Sequence, residues 1–515
     1  MQYTNNDTLG STDMTPLKIA LLYPPSDVPG KIPLITQNRQ FKYTVSNEIR
    51  IYPLIMSSLA TMLNARGHNV LFLDSVTKRF SADTVSGMLR SFDPQMIIIE
   101  TKTPLVHSHL EYARQIKTFI NAKILFVGDH CGFFYPDMLA DPAADYIAVS
   151  GYYDFIISAW IDGGMKTLPG GLFTKDNSGQ ITGTEKIAQY NLDDAPFLNR
   201  SLTNFQEYGE AYLYKPAAYI LSGRGCGGAA CPEDRLVSSR PGKCSFCIWQ
   251  YSFWNTQARL RSPELFAAEL EKLYTDYKIA EVFDDNESGG IWSEYWLEKL
   301  LGELERRKLL GKFYLSSNAR ADSLTLSRVK LLSRIGYRLL KVGLESASDT
   351  TLQKICKDET FSAIRSGVIN AKKAGLSVLL TTMVGYPWET AADAERTYRE
   401  TKKLMLTHTH FGDSLQSSIV VPYPGTPLWN YASKNGYLTE DAADYRKYDM
   451  EHAVLRTGID TTYWCRKMWR IHLHPLFILK SFFSLRRFAD IRLAFTGLLS
   501  LFGHLRDYNK PEKPI

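Results

Sequence analysis

From Leu17 to about Trp160 short apolar runs alternate with amphipathic stretches. KIALLYP, NVLFLD, MIIIET, KILFVG and YIAVSG are apolar almost throughout, as strands covered on both faces must be. Between them, YPLIMSSLATMLNARGH and SHLEYARQIKTFI space their apolar residues at the helical period. The pattern predicts an α/β domain over 17–160 built as a doubly wound parallel sheet. Such sheets bind ligands beyond the carboxyl ends of their strands. Here those ends carry Pro24-Pro25-Ser26, Thr101-Lys102-Thr103 and Gly128-Asp129-His130.

A Gly/Asp/Asn-rich stretch with no sustained periodicity predicts a linker over 161–210. A second series then begins, with AAYILSG, IAEVFDD, KFYLSS, YRLLKVGLE, LSVLLTTMVG and SLQSSIVV as strands and SPELFAAELEKLYTDY and FSAIRSGVINAKKAG among the helices. Strand followed by helix six times predicts a partial (β/α)6 barrel of TIM type over 211–430, its chemistry at the carboxyl ends of the strands. Residues 431–515 read as a mostly helical C-terminal region.

Composition adds little to this picture until it is taken locally. With 44% hydrophobic and 22% charged residues in 515, the chain can build two or three cores, which excludes wholesale disorder. Residues 1–16 are polar and read as a disordered start without a secretory signal, so a cytoplasmic protein is expected. Of the net +6, most lies in 466–515, where ten Lys/Arg face three Asp/Glu. The remainder is about neutral, and no nucleic-acid partner is expected. The basic tail mixes Phe, Leu and Ile with Arg, and its longest run without Lys, Arg, Asp or Glu, Leu493 to Leu505, is too short to span a bilayer. It suits either peripheral contact with a membrane surface or a pair of helices packed on the body of the protein.

Seven cysteines, an odd number, argue for reduced thiols, and four of them fall between Cys226 and Cys247. The Cys244-x-x-Cys247 pair, with a third cysteine at a strand end, offers soft thiolates for zinc or an iron–sulfur cluster. Three ligands in place of four leave one metal position open. At SGRGCGGAACPEDRLVSSRPGKCSFCIW the chain resembles the radical S-adenosylmethionine (radical SAM) superfamily, whose three cysteines end in Cys-x-aromatic-Cys, the aromatic here being Phe246.

That resemblance implies a [4Fe–4S] cluster on Cys226, Cys244 and Cys247, with Cys231 as the alternative first ligand. Seventeen residues separate Cys226 from Cys244, against the usual three, and Cys231 lies within the insertion. It implies S-adenosylmethionine contacts at further strand ends. Asp284, Asp285 and Asn286 would grip the amino group, and Arg320, beside Asn318, the carboxylate. Glu345 and Ser346 would take amino or ribose groups, and Gly385 would lie close to the adenine. A zinc site on all four cysteines stays open on the local motif.

The turn VPYPGTP (421–427) resembles that of superfamily members with an N-terminal cobalamin-binding domain, and 17–160 resembles that flavodoxin-like domain. Cobalamin would then touch Pro25, Ser26, Thr101, Thr103, Gly128, Asp129 and His130. The common Asp-x-His-x-x-Gly fingerprint is absent, so cobalt would have an unusual lower ligand or none from the protein. The implied activity is cleavage of S-adenosylmethionine to a 5′-deoxyadenosyl radical, with cobalamin-dependent methylation of an unactivated carbon in a small or lipid-like substrate. A flavodoxin- or ferredoxin-type donor would supply electrons. A radical cyclase, oxidase or rearrangement enzyme is the alternative of the same architecture, and a zinc-stabilised corrinoid-binding module without catalysis that of another class.

Overall fold

The structure is a computed structural model that describes residues 15–35, 41–44, 49–226, 244–253, 258–287 and 292–507, with side chains to 499. The expected frayed start falls almost wholly outside these residues, and Cys231 does so entirely.

Five parallel strands, β1 (Lys18–Tyr23), β2 (Asn69–Asp74), β3 (Met96–Thr101), β4 (Lys123–Gly128) and β5 (Tyr146–Ala148), stand in the order β2-β1-β3-β4-β5. Their side chains sort by alternation into two cores. Ile19, Leu21, Ile98, Leu125 and Val127 face one side, against α1 (Leu54–Ala65) and α5 (Tyr153–Asp162). Ala20, Leu22, Ile97, Ile99, Ile124 and Phe126 face the other, against α2 (Ala82–Phe92) and α3 (Val106–Lys117). Burying each Ile or Leu contributes about 1.5–3 kcal/mol relative to exposure, so both faces must be covered, and the strands read as unbroken apolar runs. The short helix α4 (Cys131–Ala140) follows β4.

The stretch expected as a linker extends this sheet with two antiparallel strands, β6 (Leu172–Lys175) and β7 (Ile181–Gly183). Strands of four and three residues are too short to leave a period in the sequence.

Six more parallel strands form a second sheet in sequential order: β8 (Ala217–Ile220), β9 (Glu281–Asp284), β10 (Tyr314–Ala319), β11 (Tyr337–Glu345), β12 (Ser377–Val384) and β13 (Ser414–Ile419). Helix α6 (Ile248–Ser252) follows the cysteine pair, and α7 (Pro263–Tyr277), α8 (Glu294–Arg306), α9 (Leu326–Ile335), α10 (Phe361–Lys373) and α11 (Ala391–Leu406) lie between successive strands. Side-chain caps fix several starts: Ser293, Thr325, Thr360 and Thr390 each accept from the backbone at the third helical position, with Asp393 completing a capping box. Helices α12 (Pro427–Lys434), α13 (Thr461–Trp469), α14 (Pro475–Phe483) and α15 (Phe488–Asp507) complete the chain.

Candidate active site

Where the two sheets meet, their carboxyl edges are tied together through the residues around the cysteines. Arg224, just before Cys226, donates twice to Asp154 of α5, at 2.8 and 2.6 Å, and once to Gly151 O at 3.1 Å. Both partners are buried, so the pair satisfies itself where water cannot. Ser252, at the end of α6, donates to Asp129 O at 2.5 Å. There α6 passes so close to Gly132 that an added Cβ would lie 2.3 Å from Ser252 Oγ and 2.9 Å from its Cα.

A cavity of about 240 Å³ opens at the carboxyl ends of the second sheet. Cys226, Cys244 and Cys247 all line it, together with Phe246. The long gap in sequence between Cys226 and Cys244 is closed in space by Gln250 of α6. In the amide orientation that satisfies both ends, its side chain accepts from Cys226 N at 3.1 Å and donates to Cys226 O at 3.3 Å. Cys247 N donates to Cys244 O, and Ser245 N to Ile355 O, fixing the second half of the loop. Among the described residues no three His, Cys, Asp or Glu side chains converge on a single metal point. Thiolates that each take a different iron of a cube have no need to. Burial pushes the Cys244 thiol up to about 12, against the pull of Lys357, and raises that of Cys247 further. As free groups they hold their protons, and binding iron would displace them.

A charged cluster lines the same cavity beside the thiols. Arg320 donates to Asp322 at 2.8 Å and to Lys357 O at 3.0 Å, with Glu359 at 3.7 Å. Lys357 bridges Glu359 at 3.2 Å and Glu345 at 3.5 Å. Glu345 sits at a bulge in β11 with a left-handed φ of 60°, and burial raises its pKa while Lys357 lowers it. Asn318, Arg320, Glu345 and Lys357 line the cavity beside the cysteines, and Thr382 presents a buried hydroxyl with no partner among the described residues.

Other expected contacts lie elsewhere. Asp284 and Asn286 are fully buried beneath the cavity floor. Asp284 accepts from Ser222 N and from the Asn286 amide, which also reaches Ser317, so the two lock the ends of β8, β9 and β10. Burial pushes the Asp284 carboxyl up to about 7. Asp285 is also buried and accepts from Asn318. Ser346 bonds Ser348 N and lies beside Thr397 at 3.4 Å. Gly385, at φ 100°, is fixed from outside the cavity. A Cβ there would lie 2.6 Å from Thr461 of α13, and Glu389 holds its N–H. These four side chains and this glycine stay out of the cavity wall, whereas Glu287, one residue past Asn286, enters it and accepts from Gly225 N at 2.7 Å. The acidic run at the end of β9 was legible, but which of its members turns inward depends on the strand's last pleat.

The edge of the first sheet is packed more tightly. Lys102 pairs with Asp129 at 3.0 Å and sits 5.4 Å over the ring of Trp249, which itself lines the cysteine cavity. His130 bonds Thr103 at 3.1 Å, stacks on Phe134 and meets Tyr445 edge-on. Gly128 takes a left-handed φ of 125° because Thr101 O would lie 1.9 Å from a Cβ. Pro25 is half-buried, and Ser26 closes a local turn with Val28. Thr101 Oγ1 and Asp129 Oδ1 are buried with no hydrogen-bond partner among the described residues.

Residues 241–401 match the Radical SAM superfamily. Those residues form a radical SAM domain. An uncharacterized methyltransferase of Pyrococcus horikoshii, PH0819, is 26% identical over 463 residues, covering 87% of this chain and 94% of the relative. Hopanoid C-3 methylase of Methylococcus capsulatus is 23% identical over 426 residues, 80% of this chain and 74% of the relative. The radical SAM methyltransferase TsrM of Kitasatospora setae, solved with cobalamin and a [4Fe–4S] cluster bound, superposes with a TM-score of 0.65 at 15% identity, covering 95% and 99% of the two chains. OxsB, a cobalamin-dependent radical enzyme solved with aqua-cobalamin and S-adenosylmethionine, gives 0.67 at 13% identity over 96% of this chain and 72% of its own. At these identities the likeness to both structures is one of fold.

Proposed function

We propose that this radical SAM protein binds a [4Fe–4S] cluster on Cys226, Cys244 and Cys247, cleaves S-adenosylmethionine reductively, and methylates an unactivated carbon with the help of cobalamin. The observation that carries the reading is one cavity whose lining brings three thiols together with Arg320, Glu345 and Glu287. A cation and two carboxylates are what the α-carboxylate and ammonium of an amino-acid ligand require. Asn318 and Phe246 complete that pocket, while Asp284, Asp285, Asn286, Ser346 and Gly385 shape it from behind.

When bound, the cluster supplies the electron for breaking the C5′–S bond, which leads to hydrogen abstraction, and methylcobalamin supplies the methyl group. The chain's own residues position and shield. Arg224 and Asp154 clamp the two halves, so reaction takes place at a closed edge away from water. The corrinoid reading places it over the carboxyl edge of the first sheet, a flavodoxin-like domain over 17–160 facing a partial barrel over 211–430. The two orphaned oxygens of Thr101 and Asp129 suit the amide groups around a corrin ring. Thr103, Gly128, Pro25 and Ser26 border that place. His130, hydrogen-bonded to Thr103 and stacked on Phe134, would border the corrinoid.

The far wall of the cysteine cavity offers Lys341, Thr381, Gln416 and Ser418, which favours a small polar substrate over a wholly apolar one. A flavodoxin-type protein is the electron donor in this reading.

Anaerobically reconstituted protein given reductant, S-adenosylmethionine, methylcobalamin and a panel of small polar acceptors tests the proposal. It expects 5′-deoxyadenosine and S-adenosylhomocysteine to accumulate together. 5′-Deoxyadenosine alone would replace methylation by a cyclisation, oxidation or rearrangement, and zinc in the preparation with neither product would leave a binding module.

A further inference from the structure

The C-terminal helices form an apolar surface that nothing among the described residues covers. Of the seventeen large apolar side chains exposed among the described residues, eleven lie between Leu473 and Leu499. The extreme cases are Phe482, Phe483 and Phe488, at 64, 76 and 90% exposure. Exposed apolar area on this scale marks a binding surface.

The same segment carries Arg470, Lys480, Arg486, Arg487 and Arg492, all exposed. Its only acid between 470 and 499, Asp490, is buried. Asp490 is consumed by structure, accepting from Arg486 N at 2.8 Å, from Arg487 N at 2.9 Å and from Tyr214 OH. Between 470 and 499 the segment therefore presents phenylalanine, leucine and isoleucine with exposed charges that are all positive. No described helix is long and apolar enough to cross a membrane, and amphipathic basic helices of this kind lie in the interface plane.

Its position in the fold is equally specific. His472 accepts from Leu415 N at 3.1 Å at the start of β13, Lys480 donates to Leu406 O at 2.7 Å, and Tyr214 lies just ahead of β8. These anchors are all at the amino ends of the second sheet's strands, opposite the cysteines. Between that end and α15 a cavity of about 840 Å³ is lined by Tyr214, Ala280 and Tyr314 on one side and Phe488, Arg492 and Phe495 on the other. α15 is therefore held chiefly at its first turn.

We infer that 473–499 docks the protein on the surface of an anionic lipid bilayer, with acyl chains covering the phenylalanines and phosphate headgroups meeting the arginines. Bilayer contact is made at the amino end of the second sheet. The membrane holds the enzyme in place, and the cysteine cavity lies at the far end, away from the lipid.

Flotation of the full chain with vesicles tests this independently of any cofactor. The protein floats with phosphatidylcholine vesicles that contain phosphatidylglycerol, and high salt or phosphatidylcholine alone releases most of it. The variants Phe482→Ser/Phe483→Ser/Phe488→Ser and Arg486→Glu/Arg492→Glu alter exposed side chains only, and each lowers the partition coefficient about tenfold or more. Circular dichroism of both matches the parent. If the parent stays at the bottom, or if both variants float equally well, the inference is wrong. If the parent is instead a dimer that the serine variant dissociates, with vesicles bare, the occupant is a second copy and the lipid assignment is overturned.

Discussion

Glu345 is the side chain in the cysteine cavity whose replacement separates ligand binding from cluster assembly. It has Lys357 at 3.5 Å, while Lys357 keeps Glu359 at 3.2 Å, so Glu345→Gln leaves the cation paired. Loss of a charge-assisted contact to S-adenosylmethionine costs about 1.5–3 kcal/mol, a rise in Kd of about tenfold to a hundredfold. Iron content stays at the parent value. Equilibrium binding on the reconstituted variant measures both; an unchanged Kd would remove Glu345 from the binding wall. A second residue-scale effect concerns acid. Burial, with His107 beside it, pushes His130 down to about 3, and burial does the same to His109. Both stay neutral in the fold but protonate near 6.5 once unfolded, so from about 6.5 to 3 each proton taken up favours the unfolded chain. The stability each histidine contributes is present above that window and is lost by about 1.4 kcal/mol per unit as pH falls through it. Glu100, Asp284 and Glu389, pushed up to about 7 by burial, act the other way, their contribution fading as pH rises toward 7. The difference between parent and His130→Phe isolates one histidine. The variant loses the Thr103 bond, and its Tm deficit shrinks between about pH 7 and about pH 4; a constant deficit would show that His130 is already protonated in the fold.

Helix α6 carries the geometry of the cysteine loop, since Gln250 holds Cys226 and Ser252 holds Asp129 O. Gly132→Ala would press a methyl against Ser252 at 2.3 Å from Oγ and 2.9 Å from Cα. The backbone of α6 must shift, at a cost of about 1–3 kcal/mol. Denaturant unfolding should show that loss together with reduced iron uptake. Unchanged iron would mean that α6 moves without disturbing the thiols. The strands of the first sheet were legible because parallel strands buried on two faces leave short apolar runs between amphipathic helices. Short elements escaped: β6 and β7 are too brief for a period, and the role of α6 depends on a Gln–Cys contact across 24 residues of chain, which no local pattern encodes. Cys226, Cys244, Cys247, Arg320, Asn318 and Glu345, read as site residues, line one cavity, with Asn318, Arg320 and Glu345 at the carboxyl ends of their strands. Asp284, Asn286 and Ser346 follow strands too, yet point into the packing, and Glu287 was missed because the alternation of side chains ends where the strand ends.

Across the whole molecule, the carboxyl ends of the two sheets are joined by Arg224–Asp154 and Ser252–Asp129. Asp154→Asn would leave Arg224 buried without a full charge partner, a loss of about 3–5 kcal/mol. It should also expose the cysteine mouth, read as faster bleaching of a reconstituted cluster in air. A variant as air-stable as the parent would mean that the first sheet does not shield that mouth. The membrane-facing helices sit at the other end, so closing the mouth and docking on lipid are mechanically separate. The central claim is that Cys226, Cys244 and Cys247 hold three irons of a cube and leave the fourth for S-adenosylmethionine. Electron paramagnetic resonance of the reduced, reconstituted protein tests it most directly. The account predicts a [4Fe–4S] signal that changes on adding S-adenosylmethionine, survives Cys231→Ala and vanishes in Cys244→Ala. A signal indifferent to S-adenosylmethionine, or one lost in the Cys231 variant, would contradict it.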